Sequence, residues 1–417
     1  MIATARVESF SDESLRSSVS KSIEKHKAQL GDICKKIHDN PELNYREFQA
    51  HDNICTLMES LGYSVKRHTY GLETSFEVEA GHGGSLVVFN AEYDALPGLG
   101  HACGHNLIAT SSIAAFIAAA EALGQSGREG RVRLLGTPAE EGGGGKVRLL
   151  RAGAYVNVDA CLMAHPTGVL PARVDGISGA KSLARRQVMV TFKGQNAHAG
   201  FSPWKGKNAL DAIVASYVNI SLLRQQLPPS VRVHGVFRQA GAEPNIIPDT
   251  TSLEYYLRDE TAPQVQELSQ KVEACFQAGA HATGCTVECA WKVENDYKDL
   301  CPNNVLVREF TRHMRGLGRD FQERNDGGIG GASTDMGNVT YEVPGLHCAF
   351  SIGTEDPSVQ PHTPAFAAAA GTSEAFERAL ENGMGMAATA FDLLVKPELM
   401  KEARAQFQQE MGPATKL

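Results

Sequence analysis

No stretch of this sequence is expected to supply the roughly 18 apolar residues of a membrane span, which argues against a helical membrane protein. The opening segment, MIATARVESFSDESLRSSVSKSIEKHKAQL, lacks the apolar core of a signal peptide, so a soluble cytoplasmic chain without a membrane partner is expected. Long runs of one charge are also missing. The formal net charge is -8 with acidic and basic residues interspersed, so nucleic acid is not an expected partner. The nine cysteines are odd in number and have no small-domain framework spacing, which fits reduced thiols better than disulfides. Internal repeats and low-complexity arrays are absent. The tripeptide Thr415, Lys416 and Leu417 is at best a poor variant of the peroxisomal Ser-Lys-Leu address.

What is present is a chain of 417 residues, more than one compact core usually supports, so two domains are expected. Apolar spacing from about Leu15 to Leu61 is helical and breaks at Asn40 and Pro41, because a residue before proline is pushed out of the α region. SLVVFNAEY (85–93), RVRLLGTPAEE (131–141) and DACLMAHP (159–166) read as strands that end in polar loops, and IAAFIAAAEALG (113–124) as a small-residue helix. Alternating strands and helices imply an open, largely parallel sheet with its sites at the strands' C-terminal ends. From about Arg185 the texture changes. RRQVMVTFKG, NALDAIVASYVNISLLRQQL, VRVHGVF, TTSLEYYLRD, PQVQELSQKVEACFQAGAHATG and CTVECAWKV follow in β-α-β-β-α-β order, the pattern of a ferredoxin-like sandwich. The expected division is therefore 1–183, an inserted domain over 184–294, and a return to the first domain over 295–417.

Three polar clusters fall just past strands on one expected sheet edge. In HACGHN, Cys103 and His105 flank Gly104, where a bend could aim both into one cavity; cysteine and histidine are natural zinc ligands. Taken alone, Cys-x-His fits a plain loop better, and with no CxxC the dithiol redox reading fails. TPAEEGGGGK (137–146) resembles a phosphate loop but has Glu140 where GxxxxGK[ST] needs glycine and Val147 where it needs Ser or Thr. Adjacent Glu140 and Glu141 repel unless a cation lies beside them, so they suit one metal ligand and one free base as well as they suit a solvated turn. His165 in MAHP and His362 in PHTP have bland readings too, as a bonded core histidine and a surface-loop histidine. Their joint position favours a site.

The ordered motifs EYDALPG, GHACGHN, PAEEGGGGK, AHP, NAHAG, PNIIPD, STDMGNV and PHTP, from about residue 35 to 395, resemble the M20 metallopeptidase family, in its branch of aminoacylase-like and aminobenzoyl-glutamate hydrolase-like amidohydrolases. The resemblance implies an α/β, zinc-exopeptidase-like domain: a mixed, largely parallel sheet flanked by helices, with an inserted ferredoxin-like α+β lid that forms a homodimer. It further implies two divalent metal ions, zinc or manganese with cobalt as an option, on Cys103, His105, Glu141, His165 and His362. Glu140 then falls on the general base acting on a metal-bound water, and Asp94 on the carboxylate that orients a ligand. His198 falls on a lid histidine that reaches the reacting carbonyl, in cis or across the dimer. Asn245 and Arg258 fall on positions that can hold a substrate carboxylate. His234, alternating on a strand, faces either the site or the lid's own core. Two departures stand out: Glu92 occupies the place where many family members have a histidine ligand, and Asn106 follows His105 where bacterial relatives often have aspartate.

The implied function is cleavage of the amide bond of a small N-acyl amino acid or dipeptide-like conjugate, the small-molecule substrate being the expected partner. A biosynthetic enzyme forming an amide at the same site is the alternative, since one transition state serves both directions. An inactive binding protein is a third reading, opposed by the intact Glu140 and ligand set. The glycine-rich NDGGIGGAST (325–334) and the loop FSPWKGKN (201–208) suggest mobile loops over the site. The pair Arg185 and Arg186 reads as a solvated strand end, and Cys161 as core.

Overall fold

The computed structural model of the protein describes residues 11–324 and 331–412. The first ten residues of the opening segment, the first six of NDGGIGGAST and the tripeptide Thr415–Leu417 lie outside the described residues. The chain divides into two compact units. The first runs through Lys181 and resumes at Leu300 and Asn338; the second holds Ser182–Asp299 and the residues leading to Gly337. Against the expected return at 295, the first unit resumes at Leu300, and residues 331–337 go with the second unit.

Strands are numbered in chain order. The first unit supplies β1 (Val65–Arg67), β2 (Phe76–His82), β3 (Leu86–Ala91), β4 (Gly130–Gly136), β5 (Ala160–Thr167) and β6 (Gly176–Gly179). The second supplies β7 (Ala184–Lys193), β8 (Ala197–His198), β9 (Arg232–Gln239), β10 (Ile246–Ile247), β11 (Thr250–Asp259) and β12 (Thr286–Trp291). The first unit then closes with β13 (Phe321–Arg324) and β14 (Gly345–Ser351). Its eight-stranded sheet has the order β1-β2-β4-β3-β5-β14-β6-β13. The block β4-β3-β5-β14 is parallel, β1 and β2 are antiparallel additions, and β6 runs against β14. All six residues of β3 are buried, as expected of a parallel strand covered on both faces by helices.

The helix His105–Ser126 lies at the centre of this unit and packs against Asp12–Asp39 and Ser373–Val395. It corrects the expectation about apolar runs: it is long and apolar enough to cross a membrane, and it is buried within the unit. Small side chains permit the close packing. A Cβ at Gly383 would stand 2.9 Å from the Ser111 carbonyl oxygen and 3.0 Å from the Ala114 methyl. Cys161 is buried core, and all nine cysteines are free thiols.

The second unit has a four-stranded antiparallel sheet of order β12-β7-β11-β9, the ferredoxin-like arrangement. The helices Ala209–Leu223 and Ala262–Thr283 cover one face through Val188, Val190, Phe192, Leu253, Tyr255 and Leu257. Alternation along each strand leaves the odd positions of β7 and the even positions of β11 on the other face.

Candidate metal centre

Each candidate ligand of the first unit is held by a strand end or the loop that follows it. β3 ends at Ala91, so Glu92 and Asp94 follow it directly. The turn through Cys103 enters the long helix at His105, with Gly104 at φ 76° in the left-handed region. No other residue fits there, since a Cβ would meet Pro166 Cγ at 2.6 Å. β4 leads to Glu140 and Glu141, β5 carries His165, and a loop after β14 carries His362. The His362 N–H donates to the Ala102 carbonyl at 2.7 Å, which joins that loop to the residue before Cys103. His362 is itself at φ 68°, a strained conformation for a non-glycine residue and one often found at functional sites.

The side chains converge. Ligand atoms of Cys103, His105 and His165 lie within 4.8 Å of one another, as do those of Cys103, Glu141 and His362, and of Glu92, His105 and Glu140. Cys103 Sγ is 3.5 Å from His165 Nε2, and Glu141 Oε1 is 3.7 Å from His105 Nε2 and 3.6 Å from His362 Nε2. The Asp94 carboxylate and the Pro166 carbonyl hold the far sides of these candidate ligands. Asp94 binds His105 Nδ1 with one oxygen at 3.1 Å and accepts the Glu141 N–H with the other at 2.9 Å; His165 Nδ1 bonds the Pro166 carbonyl at 2.7 Å. Both imidazoles thereby present Nε2 inward, the arrangement expected around a metal.

Two atoms test the fit of a cation. His105 Nε2 and Glu141 Oε1 are buried without a hydrogen-bond partner, although they face one another across the cluster. The titration behaviour agrees. Burial pushes the Cys103 thiol well up, and burial together with the Glu140 charge raises Glu141 to about 7. Burial, then the neighbouring His105, drives His165 down to about 3. Burial opposes a charged His105, but the charge and hydrogen bond of Asp94 outweigh it and raise its pKa well above the ordinary value. A divalent cation would favour the thiolate, both carboxylates and the neutral imidazoles together. The donor set of thiolate, imidazole and carboxylate suits zinc or manganese, and Cys103, shared by two of the triads, suits two neighbouring ions.

A family model described as peptidase family M20/M25/M40 matches residues 88–388. The chain is 39% identical to the Xaa-Arg dipeptidase of Mus musculus over 95% of this chain and 92% of that one. It belongs to peptidase family M20. It is therefore a metal-dependent amidohydrolase. The chain is also 28% identical to a p-aminobenzoyl-glutamate hydrolase chain of Escherichia coli, over 93% of each. Among solved structures, a dinuclear metal-binding M20 peptidase from Bacillus subtilis shares the fold with a TM-score of 0.65 at 21% identity, covering 89% of this chain and 99% of that one.

Of the M20 residues expected in the second unit, His198 ends β8 and Asn245 directly precedes β10, its partner strand; Ala199 N–H donates to the Asn245 carbonyl at 2.9 Å. His198 is exposed, and its Nδ1 accepts from the Gly200 and Phe201 N–H groups at 3.2 and 3.1 Å. With Nδ1 accepting, Nε2 is the ring nitrogen left to face outward as a donor. His234 and Arg258 lie on the sheet's helix-free face, so His234 is not part of the lid core; its ring meets Tyr256 edge-on. Burial, then the Arg258 charge, lowers the pKa of His234.

The structure corrects the reading of Arg185 and Arg186 as a solvated strand end. Arg185 is buried, and Arg186 turns to the helix side, where it binds Asp296, Gln266 and Ser269 and covers Trp291. Sequence reasoning missed two further groups. Lys146, seen only as part of a rejected phosphate loop, is fully buried on Glu92. Glu47 accepts the Ala139 N–H at 2.9 Å and the Thr74 hydroxyl at 2.8 Å, supporting the turn that carries Glu140. Burial and the Asp94 charge raise Glu47 to about 8.

Proposed function

We propose that the protein hydrolyses the amide bond of a dipeptide or a small N-acyl amino acid, using two divalent ions, zinc or manganese, held by Cys103, His105, Glu141, His165 and His362. The observation that carries this reading is the convergence of those five side chains with Asp94 behind two of them. Bound ions would supply polarisation of the scissile carbonyl and a lowered pKa for water. Glu140, buried beside Glu141 in the same cluster, takes the proton from the attacking water and returns it to the departing amine. His198, with Nε2–H as its free donor, stabilises the developing oxyanion, a contribution of about 3 kcal/mol for comparable donors. Asn245 and Arg258 are proposed as contacts to the substrate.

Dipeptides stand first among substrates because Xaa-Arg dipeptidases are among the relatives, at 39% identity. The test is a panel of Xaa-Arg dipeptides, N-acetyl amino acids and p-aminobenzoyl-glutamate, with and without chelation, on the wild type and on Glu140→Gln. Expected are chelator-sensitive cleavage and a Glu140→Gln variant that keeps its metals while losing about 10²–10⁴-fold in kcat. Full turnover by Glu140→Gln would remove the base assignment. A metal-loaded enzyme that cleaves nothing would favour the amide-forming alternative.

We further propose a homodimer through the second unit. Supporting it is an exposed apolar patch in which Tyr217 of the helix Ala209–Leu223 meets Phe237 of the edge strand β9, with Val218 and Leu222 of the same helix also exposed. Light scattering should give twice the chain mass, and Leu222→Glu should reduce it to one.

A further inference from the structure

The helix-free face of the second unit's sheet carries a buried cation that no anion among the described residues pairs with. Arg185 and Arg258 are direct partners across β7 and β11, and Arg232 is the next partner on β9, so three arginine stems leave the sheet in one row. Arg232 directs its donors to the carbonyls of Pro229 and Val231. Arg258 donates to Ser333 Oγ at 2.7 Å and to the Gly331 carbonyl at 3.3 Å. Among the described residues Arg185 has no comparable partner. It is 7% exposed, and its Nε and Nη2 are buried with no hydrogen bond.

What Arg185 does touch is aromatic. The rings of Tyr297 and Tyr256 lie 3.9 and 5.1 Å from its guanidinium carbon and come from segments on the two flanks of β7. Aromatic faces attract the guanidinium and restrain its plane, but they take none of its in-plane N–H bonds. Burying a guanidinium with unmet donors opposite a second arginine is unfavourable. Glu254, the carboxylate on the same face of β11, is already committed to Arg238, Lys292 and Gln187. The two unmet donors are the pair that matters, because Nε and Nη2 form the guanidinium edge that meets both oxygens of a carboxylate at once.

We propose that Arg185 is a carboxylate-binding residue, taking both oxygens of a ligand carboxylate on its Nε–Nη2 edge while Tyr256 and Tyr297 hold the fork and Arg258 adds charge. Identifying that carboxylate as the free carboxylate of the amide substrate rests on the function proposed above; a separate carboxylate effector would use the same edge.

Calorimetry on chelated, metal-free protein with N-acetylglycine and N-acetylglycinamide tests the site apart from hydrolysis. The wild type is expected to prefer the acid by about 10- to 100-fold, the range for a hydrogen bond to a charged group, and Arg185→Gln to lose that preference. Arg185→Lys should keep only part of it, since an ammonium offers no planar edge, and it serves as the test should Arg185→Gln not fold. Equal binding of acid and amide by the wild type, no binding at tens of millimolar, or an undiminished preference in Arg185→Gln would each overturn the proposal. Kinetics of a dipeptide and its C-terminal amide then separate the sources. A collapse of the acid-over-amide ratio in kcat/KM, mostly through KM, assigns the substrate's carboxylate; an unchanged ratio beside lost N-acetylglycine binding assigns an effector. If the loaded wild type cleaves nothing while the calorimetric preference persists, the hydrolase reading fails and the carboxylate site stands.

Discussion

Lys146 and Glu92 form an ion pair with both side chains at 0% exposure, and the other Glu92 oxygen stands 3.7 Å from His105 Nε2. The ammonium thus neutralises a carboxylate at the margin of the ligand cluster. Removing one partner of a buried pair strands the other, which typically costs about 3–5 kcal/mol, whereas an apolar replacement of both is often far milder. Lys146→Met is expected to destabilise the first unit by that amount, and the Lys146→Met, Glu92→Leu double variant by clearly less. Urea unfolding of the metal-free protein checks this; a single-variant cost below about 1 kcal/mol would mean the pair is not buried as described.

Asp94 holds two of the proposed ligands at once, His105 through Nδ1 and Glu141 through its N–H. Asp94→Asn keeps the shape but loses the charge that fixes the imidazole. Metal affinity is expected to fall about 10–100-fold, read by competition with a chromophoric chelator. An unchanged affinity would show that His105 needs no orienting carboxylate.

Gly104→Ala meets two obstacles, a φ of 76° and a Cβ 2.6 Å from Pro166 Cγ. A cost of about 1–3 kcal/mol in thermal or denaturant stability is expected, along with weaker metal retention because Cys103 and His105 flank the strained residue. A variant with unaltered stability and metal content would contradict the tight turn.

In the second unit, Glu254 should give an acid-dependent stability term. Burial raises its pKa, but Lys292, Arg238 and Gln187 outweigh burial and lower it from 4.5 to about 2. A lowered folded pKa means stability that is present above the unfolded value and lost as pH falls from about 4.5 through about 2. Because Arg238 and Lys292 are 57% and 43% exposed, solvent screening reduces the expected effect to about 1–2 kcal/mol. Glu254→Gln should flatten that part of the pH profile. A profile unchanged by the substitution would assign the acid sensitivity elsewhere.

The strand-and-helix order of both units was legible because apolar periodicity records which faces are buried, as in β3 and in the alternating β7 and β11. The expected meeting of Cys103, His105, Glu141, His165 and His362 came from family motifs at strand ends, and their side chains do converge. The start of the helix expected over 113–124 was not. It begins at His105, and its polar first turns are accommodated because the hydroxyls of Thr110 and Ser111 bond the carbonyls of Asn106 and Ile108. The Glu92–Lys146 pair joins residues 54 apart, and Arg185 is covered by Tyr297 from a distant segment, so neither burial has a local signature. Glu47 reaches Ala139 from 92 residues away.

The most direct test of the central claim is the number of divalent ions bound per chain, measured by mass spectrometry after metal-free protein is reloaded with zinc or manganese. Two are expected in the wild type, with a loss in Cys103→Ser, where two triads share that residue, and catalytic activity that returns with loading. One ion or none in a folded wild type, or activity that survives full chelation, would contradict it.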